Sequence, residues 1–358
     1  MNPEPDDVAQ PAARSGGRAL RLWLGIAVTV LAIGWAIRGV NVGGVVDSMR
    51  SARLAPVLLI MAAQWLGLWV RAVRWRYLTA ALEDAPRDIG SHYRATAVGF
   101  LAINVLPFRI GELVRPWFLA RETGVRGSAA LGTLLLERAI DFACVVLISG
   151  VVLFFLSADS PEWFRSGATV FAVLSLAPFG LVIALQISEE ATLSLLAAVL
   201  RPFPERLGKR ALDLITQICL GLASLKGIRP LFMVALYSVL LWGVIFASVF
   251  VFGFIAFGIQ LPLKDALLAV YTLHVFTALA AALPAAPGFF GVFHVACTEA
   301  LSLFGISREV ALAFGTIVHV GYWLPVTAAG AFEAIRSGTR LTDLTAVGVG
   351  KAPSEPHR

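Results

Sequence analysis

The sequence has little of what a soluble or disulfide-stapled domain needs. Only 15% of its 358 residues are charged, and its three cysteines, Cys144, Cys219 and Cys297, lie in apolar or amphipathic stretches without CxxC spacing. This pattern indicates neither a disulfide framework nor a metal site, and we expect no cofactor. The net charge of +6 is not gathered in one basic stripe, because the basic residues flank apolar runs. A nucleic-acid partner is therefore not expected.

Long apolar runs are what the sequence does have. Hydrophobic residues make up 58% of the chain, and the mean hydropathy is +0.81. Runs of this length separated by short charged connections are typical of helices that cross a bilayer. We therefore predict an all-α, polytopic integral membrane protein, with a disordered cytoplasmic tail at 1–19, one transmembrane domain at 20–340 and a disordered tail at 341–358.

The hydropathy pattern predicts about six full spans and two interrupted elements. Breaks divide the apolar segments 96–119 and 266–304, as expected of interrupted or re-entrant helices. Between 187 and 230 apolar residues recur at helical spacing among charges, which suits helices lying at the interface. The six predicted full spans are 22–37, 55–70, 129–156, 169–186, 231–259 and 310–335.

The distribution of lysine and arginine predicts the orientation in a cell (inner) membrane. Most short basic connections fall on one side if both termini are cytoplasmic, although the connection that carries Arg38, Arg50 and Arg53 does not fit. By parity the two interrupted elements then enter from opposite faces. Transporters with inverted repeats use such a pair to form a binding site near the midplane of the bilayer.

The first interruption holds the densest polar cluster within an apolar segment. Pro107 removes a backbone donor and Gly111 permits unusual dihedral angles, so the helix should open beside Arg109 and Glu112, next to Asn104. The amino terminus of a half-helix beside an arginine suits a phosphate group. The alternative is that Arg109 and Glu112 only neutralise one another.

Three charged residues lie within the predicted span 129–156. Glu137, Arg138 and Asp141 share one helical face and leave one net negative charge. A partner must therefore come from elsewhere, and Arg109, Arg115 or a basic headgroup are the candidates. An ion-pair network that only locks helices together is a nearly equal alternative.

Two arginines near the end of the second span have two interpretations. Basic and aromatic residues at this depth ordinarily anchor a helix among headgroups, which is the favoured interpretation. Arg71 and Arg74 lie one helical turn apart, so they could instead hold a lipid phosphate at the interface.

The second interruption is built from Pro284, Pro287, Gly288 and Gly291. Two titratable residues, His294 and Glu299, follow it. Such groups at membrane depth could serve a proton-coupled step, whereas His274 and His319 are interpreted as packed, hydrogen-bonding residues.

Taken together, these motifs resemble the transmembrane region of lysylphosphatidylglycerol synthases, over about 22–335. One departure is His294, which stands where the family typically has a carboxylate; Glu299 is a candidate substitute. The stretches that carry the resemblance are Arg71 with Arg74 and Trp75, Asn104 to Glu112, Glu137 and Arg138 with Asp141, and Pro287 and Gly288 with Gly291.

The resemblance implies a flippase-like domain that moves or binds a phosphate-bearing lipid, such as a phospholipid, an aminoacyl-lipid, a hopanoid or a polyprenyl-phosphate carrier. The synthases carry a soluble transferase domain after the membrane part, and this sequence has only about twenty residues there. We therefore expect no enzymatic activity of its own, with membrane lipids and a separately encoded lipid-modifying transferase as candidate partners. The alternative is a membrane enzyme or an accessory subunit of a lipid-modifying or glycosyl-transfer system.

Overall fold

The computed structural model describes most of the predicted membrane domain. The described segments are helical and contain no strand. Three predicted break residues, Pro107, Arg109 and Pro284, lie outside the described residues, as do the tail segments 1–15 and 349–358. The described residues are 16–80, 82, 85–106, 111–156, 162–176, 180, 183–184, 187–200, 228–283 and 287–348.

Fourteen α-helices follow one another in these described segments. In the first half they are α1 (Gly16–Ile37), α2 (Val42–Ser51), α3 (Leu54–Thr79), α4 (Ile89–Val105), α5 (Gly111–Thr123), α6 (Gly127–Leu156), α7 (Glu162–Leu174) and α8 (Glu189–Leu200). In the second half they are α9 (Ile228–Val239), α10 (Phe246–Phe257), α11 (Leu263–Ala282), α12 (Val292–Ser302), α13 (Arg308–Arg336) and α14 (Leu341–Gly348). A π-helical turn (Leu240–Ile245) joins α9 to α10, and a 3₁₀ turn (Pro287–Phe289) precedes α12.

Five helical stretches are long and apolar enough to cross a membrane: α3, α6, α9 with α10, α11 and α13. Helices α1 and α2 form a sixth candidate, although a bend of 86° separates them. The predicted polytopic helical class is confirmed. Two details differ, because α11 is itself long enough to span, whereas the predicted span 169–186 overlaps α7, whose 13 residues rise only about 20 Å.

Helices α4 and α5 form an antiparallel pair, which we call the first hairpin. Gly111 lies against the backbone of Gly99 and Ile103, and Arg94 near the far end of α4 pairs with Glu122 near the far end of α5. A Cβ atom on Gly111 would collide with backbone atoms of α4. Glycine thus allows the two helix backbones to touch beside the connection at 106–110.

Helices α11 and α12 form a second antiparallel pair, the second hairpin. Ala280 packs with Val292 near its tip. The chain reverses through Gly288 at φ +73° and Gly291 at φ +84°, in the left-handed region that favours glycine. Gly291 also lies against α1, since a Cβ atom there would be 2.9 Å from the carbonyl oxygen of Thr29.

Helix α13 packs against both hairpins and sets their relative direction. Its first half runs antiparallel to α12, with Gly315 against Cys297, and its second half runs antiparallel to α4, with Gly330 against Ala97. Helices α4 and α12 therefore run parallel, so the two hairpin tips, which lie at opposite ends of these helices, face one another. Phe289 of the second tip packs in the same cluster as residues of α4.

Helix α14 lies within the segment 341–358 that the sequence suggested was a disordered tail. Leu344 is 1% exposed and packs in the core cluster that includes residues of α5. The side chain of Leu344 is buried by residues that are distant in sequence, so its burial depends on the tertiary structure. A helix thus occupies Leu341–Gly348, the first part of that segment.

Candidate functional site

Five charged side chains from three helices form a buried ion-pair network, which we call the charge network. Arg74 comes from α3, Arg115 from α5, and Glu137, Arg138 and Asp141 from α6. The Oε1 atom of Glu137 lies 2.8 Å from Arg115, 2.9 Å from Arg138 and 3.3 Å from Arg74. Asp141 lies 2.7 Å from Arg74 and 3.0 Å from Arg138.

The charge network is buried except at Arg138. The side chains of Arg74 and Glu137 are fully buried, whereas that of Arg138 is 30% exposed. Glu137 is the eleventh residue of α6, about 15 Å along that helix from its start. Charges at such a depth in an apolar helix persist only when they are paired, and three arginines around two carboxylates provide the pairing with one positive charge to spare.

Several polar atoms of the charge network have no hydrogen-bond partner among the described residues. They are the Nε atoms of Arg74, Arg115 and Arg138, Nη2 of Arg115, and Oε2 of Glu137. Buried donors without an acceptor are rare in proteins and commonly mark a place where water or a ligand binds. The arrangement therefore offers donors to an anion.

Arg71 differs from Arg74, although both belong to α3. Its guanidinium carbon lies 4.6 Å from the ring centroid of Phe100 and 4.6 Å from that of Phe246, so the side chain is held between two aromatic faces. No ion pair or hydrogen bond to another described residue holds it, and it is only partly buried. The structure thus separates two arginines to which the sequence assigned one role.

The π-helical turn places Trp242 against the charge network. The indole Nε1 donates a hydrogen bond of 2.9 Å to Asp141, and the ring stacks on His274 with centroids 5.1 Å apart. Tyr271 donates to the carbonyl oxygen of Gly243 in the same turn. Turns of this kind inside α-helices are frequent at functional sites, and here the turn directs a donor to a buried carboxylate.

The residues around the first tip occupy different environments. Asn104 is buried and donates a hydrogen bond of 2.8 Å to Thr327 of α13. Glu112 is partly exposed and lies within electrostatic reach of Arg138. Arg109 lies outside the described residues, so its predicted pairing stays a prediction.

The tip of the second hairpin gathers nitrogen atoms rather than charges. The Nε2 atom of His319 lies 2.7 Å from the carbonyl oxygen of Gly288. The ring of His294 stands 5.2 Å from that of His319, and the indole nitrogen of Trp323 points at Gly288. The expectation that His319 is a packed, hydrogen-bonded residue agrees with this geometry.

Glu299 lies apart from both groups, near the far end of α12. Its Oε1 atom accepts a hydrogen bond of 2.9 Å from Trp35 of α1 and lies 3.4 Å from Arg308. Both charged side chains are more than one third exposed. The carboxylate ties α1 to α13 and does not contact the histidines.

Sequence reasoning missed three members of these groups: Trp242, Trp323 and the ion pairs of Arg74. The two tryptophans lie in apolar runs where aromatic residues ordinarily pack. The ion pairs of Arg74 could have been predicted from the unpaired negative charge on α6, because that charge required a buried cation from another helix.

These features define the class of the protein: a multi-pass helical membrane protein whose buried charges converge beside two facing hairpins. The family described as "Lysylphosphatidylglycerol synthase TM region" matches residues 22–330, and the chain belongs to this family. Among curated proteins it is similar to a UPF0104 membrane protein of Methanothermobacter thermautotrophicus, at 23% identity over 318 residues, which cover 84% of this chain and 90% of that protein. No solved structure matches the chain.

Proposed function

We propose that this protein binds a phosphate-bearing lipid at Arg71 and moves it between the two leaflets of a cell membrane without modifying it. The observation that carries the proposal is the contrast within α3. Arg74 forms ion pairs with two carboxylates, whereas Arg71, one turn away, is held in place by two phenylalanine rings and has no ion pair among the described residues. A guanidinium group presents a fork of donors that matches a phosphate.

The surrounding charge favours an anion. The charge network together with Arg71 and Glu112 has a net charge of +1, and the low dielectric constant of the interior strengthens its attraction for a phosphate. The positive members are Arg71, Arg74, Arg115 and Arg138, and the negative members are Glu112, Glu137 and Asp141.

The two hairpins supply a route for the lipid headgroup. We infer that they enter the membrane from opposite faces, since their tips face one another along α13. A site between such tips can be opened to one face at a time by moving one hairpin. Arg71 stands beside this meeting point, because Phe100, over which its guanidinium lies, packs in one cluster with Phe289 of the second tip.

Reconstitution into vesicles tests the proposal. Fluorescent phosphatidylglycerol should move between leaflets when the wild-type protein is present, and dithionite quenching of the outer leaflet measures the rate. We expect Arg71→Gln to lower the rate at least tenfold and Arg71→Lys to lower it less, because lysine keeps the charge but not the fork.

Arg76→Gln is the matched control, since Arg76 lies on the same helix but donates to the carbonyl oxygen of Arg87 outside the network. This variant should move lipid at the wild-type rate. Folded Arg71→Gln protein that is as fast as the wild type would refute the role of Arg71. Recovery of chemically altered lipid would refute transport without modification.

A further inference from the structure

The second hairpin tip and α13 together form an unassigned set of hydrogen-bonding groups, which we call the histidine site: Gly288, His294, His319 and Trp323. A carbonyl oxygen can only accept, so the 2.7 Å contact with Gly288 requires the proton of His319 on Nε2. The other ring nitrogen, Nδ1, is then an acceptor. It has no partner within the described part of the chain, although His319 is only 1% exposed.

Two more nitrogen atoms of the histidine site are also buried without a hydrogen-bond partner. The Nε1 atom of Trp323, which can only donate, and Nδ1 of His294 are both buried without a partner among the described residues. A Cβ atom on residue 288 would lie 2.8 Å from the indole nitrogen, so glycine lets Trp323 approach the backbone of the tip. The site thus presents one fixed donor and one fixed acceptor.

The walls of the histidine site are aromatic. The ring of His319 contacts the rings of Phe290 and Phe293, with centroid distances of 4.7 Å and 4.6 Å, and Phe290 is 41% exposed. The nearest described carboxylate on α12, Glu299, is engaged by Arg308 and Trp35. Hydroxyl groups both donate and accept and therefore suit this site, whereas an ammonium group can only donate and cannot accept from the N–H of Trp323.

Aromatic side chains connect the histidine site to the surroundings of Arg71. Tyr322 lies within electrostatic reach of Arg71, and its ring stacks on Phe293, which in turn stacks on His319. A single headgroup could therefore place its phosphate at Arg71 and its hydroxyl groups at the histidine site.

We propose that the histidine site binds the hydroxyl groups of a glycerol- or sugar-phosphate headgroup whose phosphate is held by Arg71. This inference rests on the proposed function, because it specifies the headgroup class at the same site. It selects an anionic, hydroxyl-bearing lipid over an amine-bearing one.

Equilibrium binding to the purified full-length protein tests the inference with four probes: inorganic phosphate, glycerol 3-phosphate, phosphoethanolamine and dihexanoyl phosphatidylglycerol. Glycerol 3-phosphate should bind about tenfold more tightly than inorganic phosphate, as one or two added hydrogen bonds provide, and phosphoethanolamine should gain nothing. Trp323→Phe keeps an aromatic ring but loses the N–H group. It should abolish the preference for glycerol 3-phosphate and leave the affinity for inorganic phosphate unchanged.

Trp65→Phe is the matched control, since the Trp65 indole donates only to Tyr93, and the preference should persist in this variant. Equal binding of glycerol 3-phosphate and inorganic phosphate by the wild type would overturn the inference, as would an equal loss for every probe in Trp323→Phe. The lipid probe should bind more tightly than free glycerol 3-phosphate if a lipid is the source of the headgroup. Equal affinity for the lipid probe and for glycerol 3-phosphate would indicate a soluble phosphate ester as the ligand and would refute a lipid as its source.

Vesicle transport separates the two proposals. Preferential binding that Trp323→Phe abolishes, without any lipid movement by the wild type, would refute translocation and leave the histidine site supported. Lipid movement that depends on Arg71, without preference for glycerol 3-phosphate, would refute the histidine site and leave translocation supported.

Discussion

The two hairpins approach one another with the same architecture but opposite chemistry. The first hairpin holds Arg115 within an ion-pair network, and its two helices touch at Gly99 and Gly111. The second turns through Gly288, and its tip lies against α13. There imidazole and indole nitrogens of His294, His319 and Trp323 have no partners among the described residues. Ion pairs tie the first hairpin to α3 and α6, whereas the groups at the second tip are neutral and leave hydrogen-bonding positions for a ligand.

The largest expected effect tests the rigid side of this comparison. Glu137→Gln removes the carboxylate that three arginines share and leaves them with Asp141 alone. Breaking a buried pair in this way costs about 3 to 5 kcal/mol, because uncompensated charge stays buried. We expect the greatest loss of thermal stability in detergent, followed by a fluorescent thermal-shift assay.

The control for this variant lies on the first hairpin itself. Glu122 pairs with Arg94 where both side chains are more than one fifth exposed, so Glu122→Gln should cost less than about 1 kcal/mol. Equal losses in Glu137→Gln and Glu122→Gln would show that the charge network is not the framework of the first hairpin.

An intermediate effect comes from placing the same methyl group in each hairpin. Gly111→Ala meets backbone atoms of Gly99 and Ile103, which cannot give way, so we expect a loss of about 1 to 3 kcal/mol by thermal shift. Gly288→Ala meets the side chain of Trp323, which can move, and adds about 1 to 2 kcal/mol of strain at φ +73°. We expect it to weaken glycerol 3-phosphate binding more than it weakens the fold.

Two glycines in open space serve as controls. Gly132 on α6 has no atom within 4 Å of an added Cβ, so Gly132→Ala should not destabilise the protein. Gly258 has φ +64° in open space, so Gly258→Ala isolates the backbone strain from the contact with Trp323. If Gly258→Ala impaired binding as much as Gly288→Ala, the effect would not belong to the histidine site.

The smallest expected effect concerns how each hairpin begins. Asp88 caps α4, since its side chain accepts from the backbone N–H of Ser91, whereas Pro262 before α11 provides no side-chain cap. Asp88→Ala should cost about 1 kcal/mol, and Asp88→Asn should cost little because asparagine also caps. The thermal shift of both variants measures the difference.

The pH dependence of the Asp88 cap has a defined sign. The hydrogen bond from the backbone of Ser91 lowers the pKa of the Asp88 carboxyl below its usual value. A lowered folded pKa stabilises the fold above the unfolded pKa of about 3.9 and ceases to do so as the pH falls through the folded value. The stability gap between wild type and Asp88→Ala should therefore be full at pH 7 and shrink below about pH 4; a constant gap would contradict the cap.

Much of the fold could be predicted because bilayer thickness constrains the sequence directly. The spans near α3, α6, α9 to α10 and α13 follow from apolar runs of the required length. Helix α2 was missed because Val42–Ser51 is short and only amphipathic, and α14 because its burial depends on α5. Neither has a signal in hydropathy that distinguishes it from a loop or a tail.

The candidate site could be predicted only in part. The need for a counterion to the acidic face of α6 was visible in the sequence, since intramembrane charges must pair. Arg115, one of the named candidates, does pair with Glu137. The second partner, Arg74, could not be predicted, because Arg74 and Arg71 are equivalent by composition and spacing. Their separation depends on which side of α3 faces Asp141 and which faces Phe100.

The sequence by itself determined that this is a helical membrane protein with polar features inside its apolar segments. These features are two arginines one turn apart, three charges on α6 and two breaks rich in glycine and proline. These features can be predicted from short stretches of sequence, because bilayer thickness fixes the length of an apolar segment and a charge within such a segment is costly. The tertiary structure alone decided that Arg74 forms ion pairs, that Arg71 has none among the described residues, and that the hairpin tips face one another. Those outcomes depend on how α13 packs across both hairpins, and contacts between residues more than 200 positions apart leave no periodic trace in the chain.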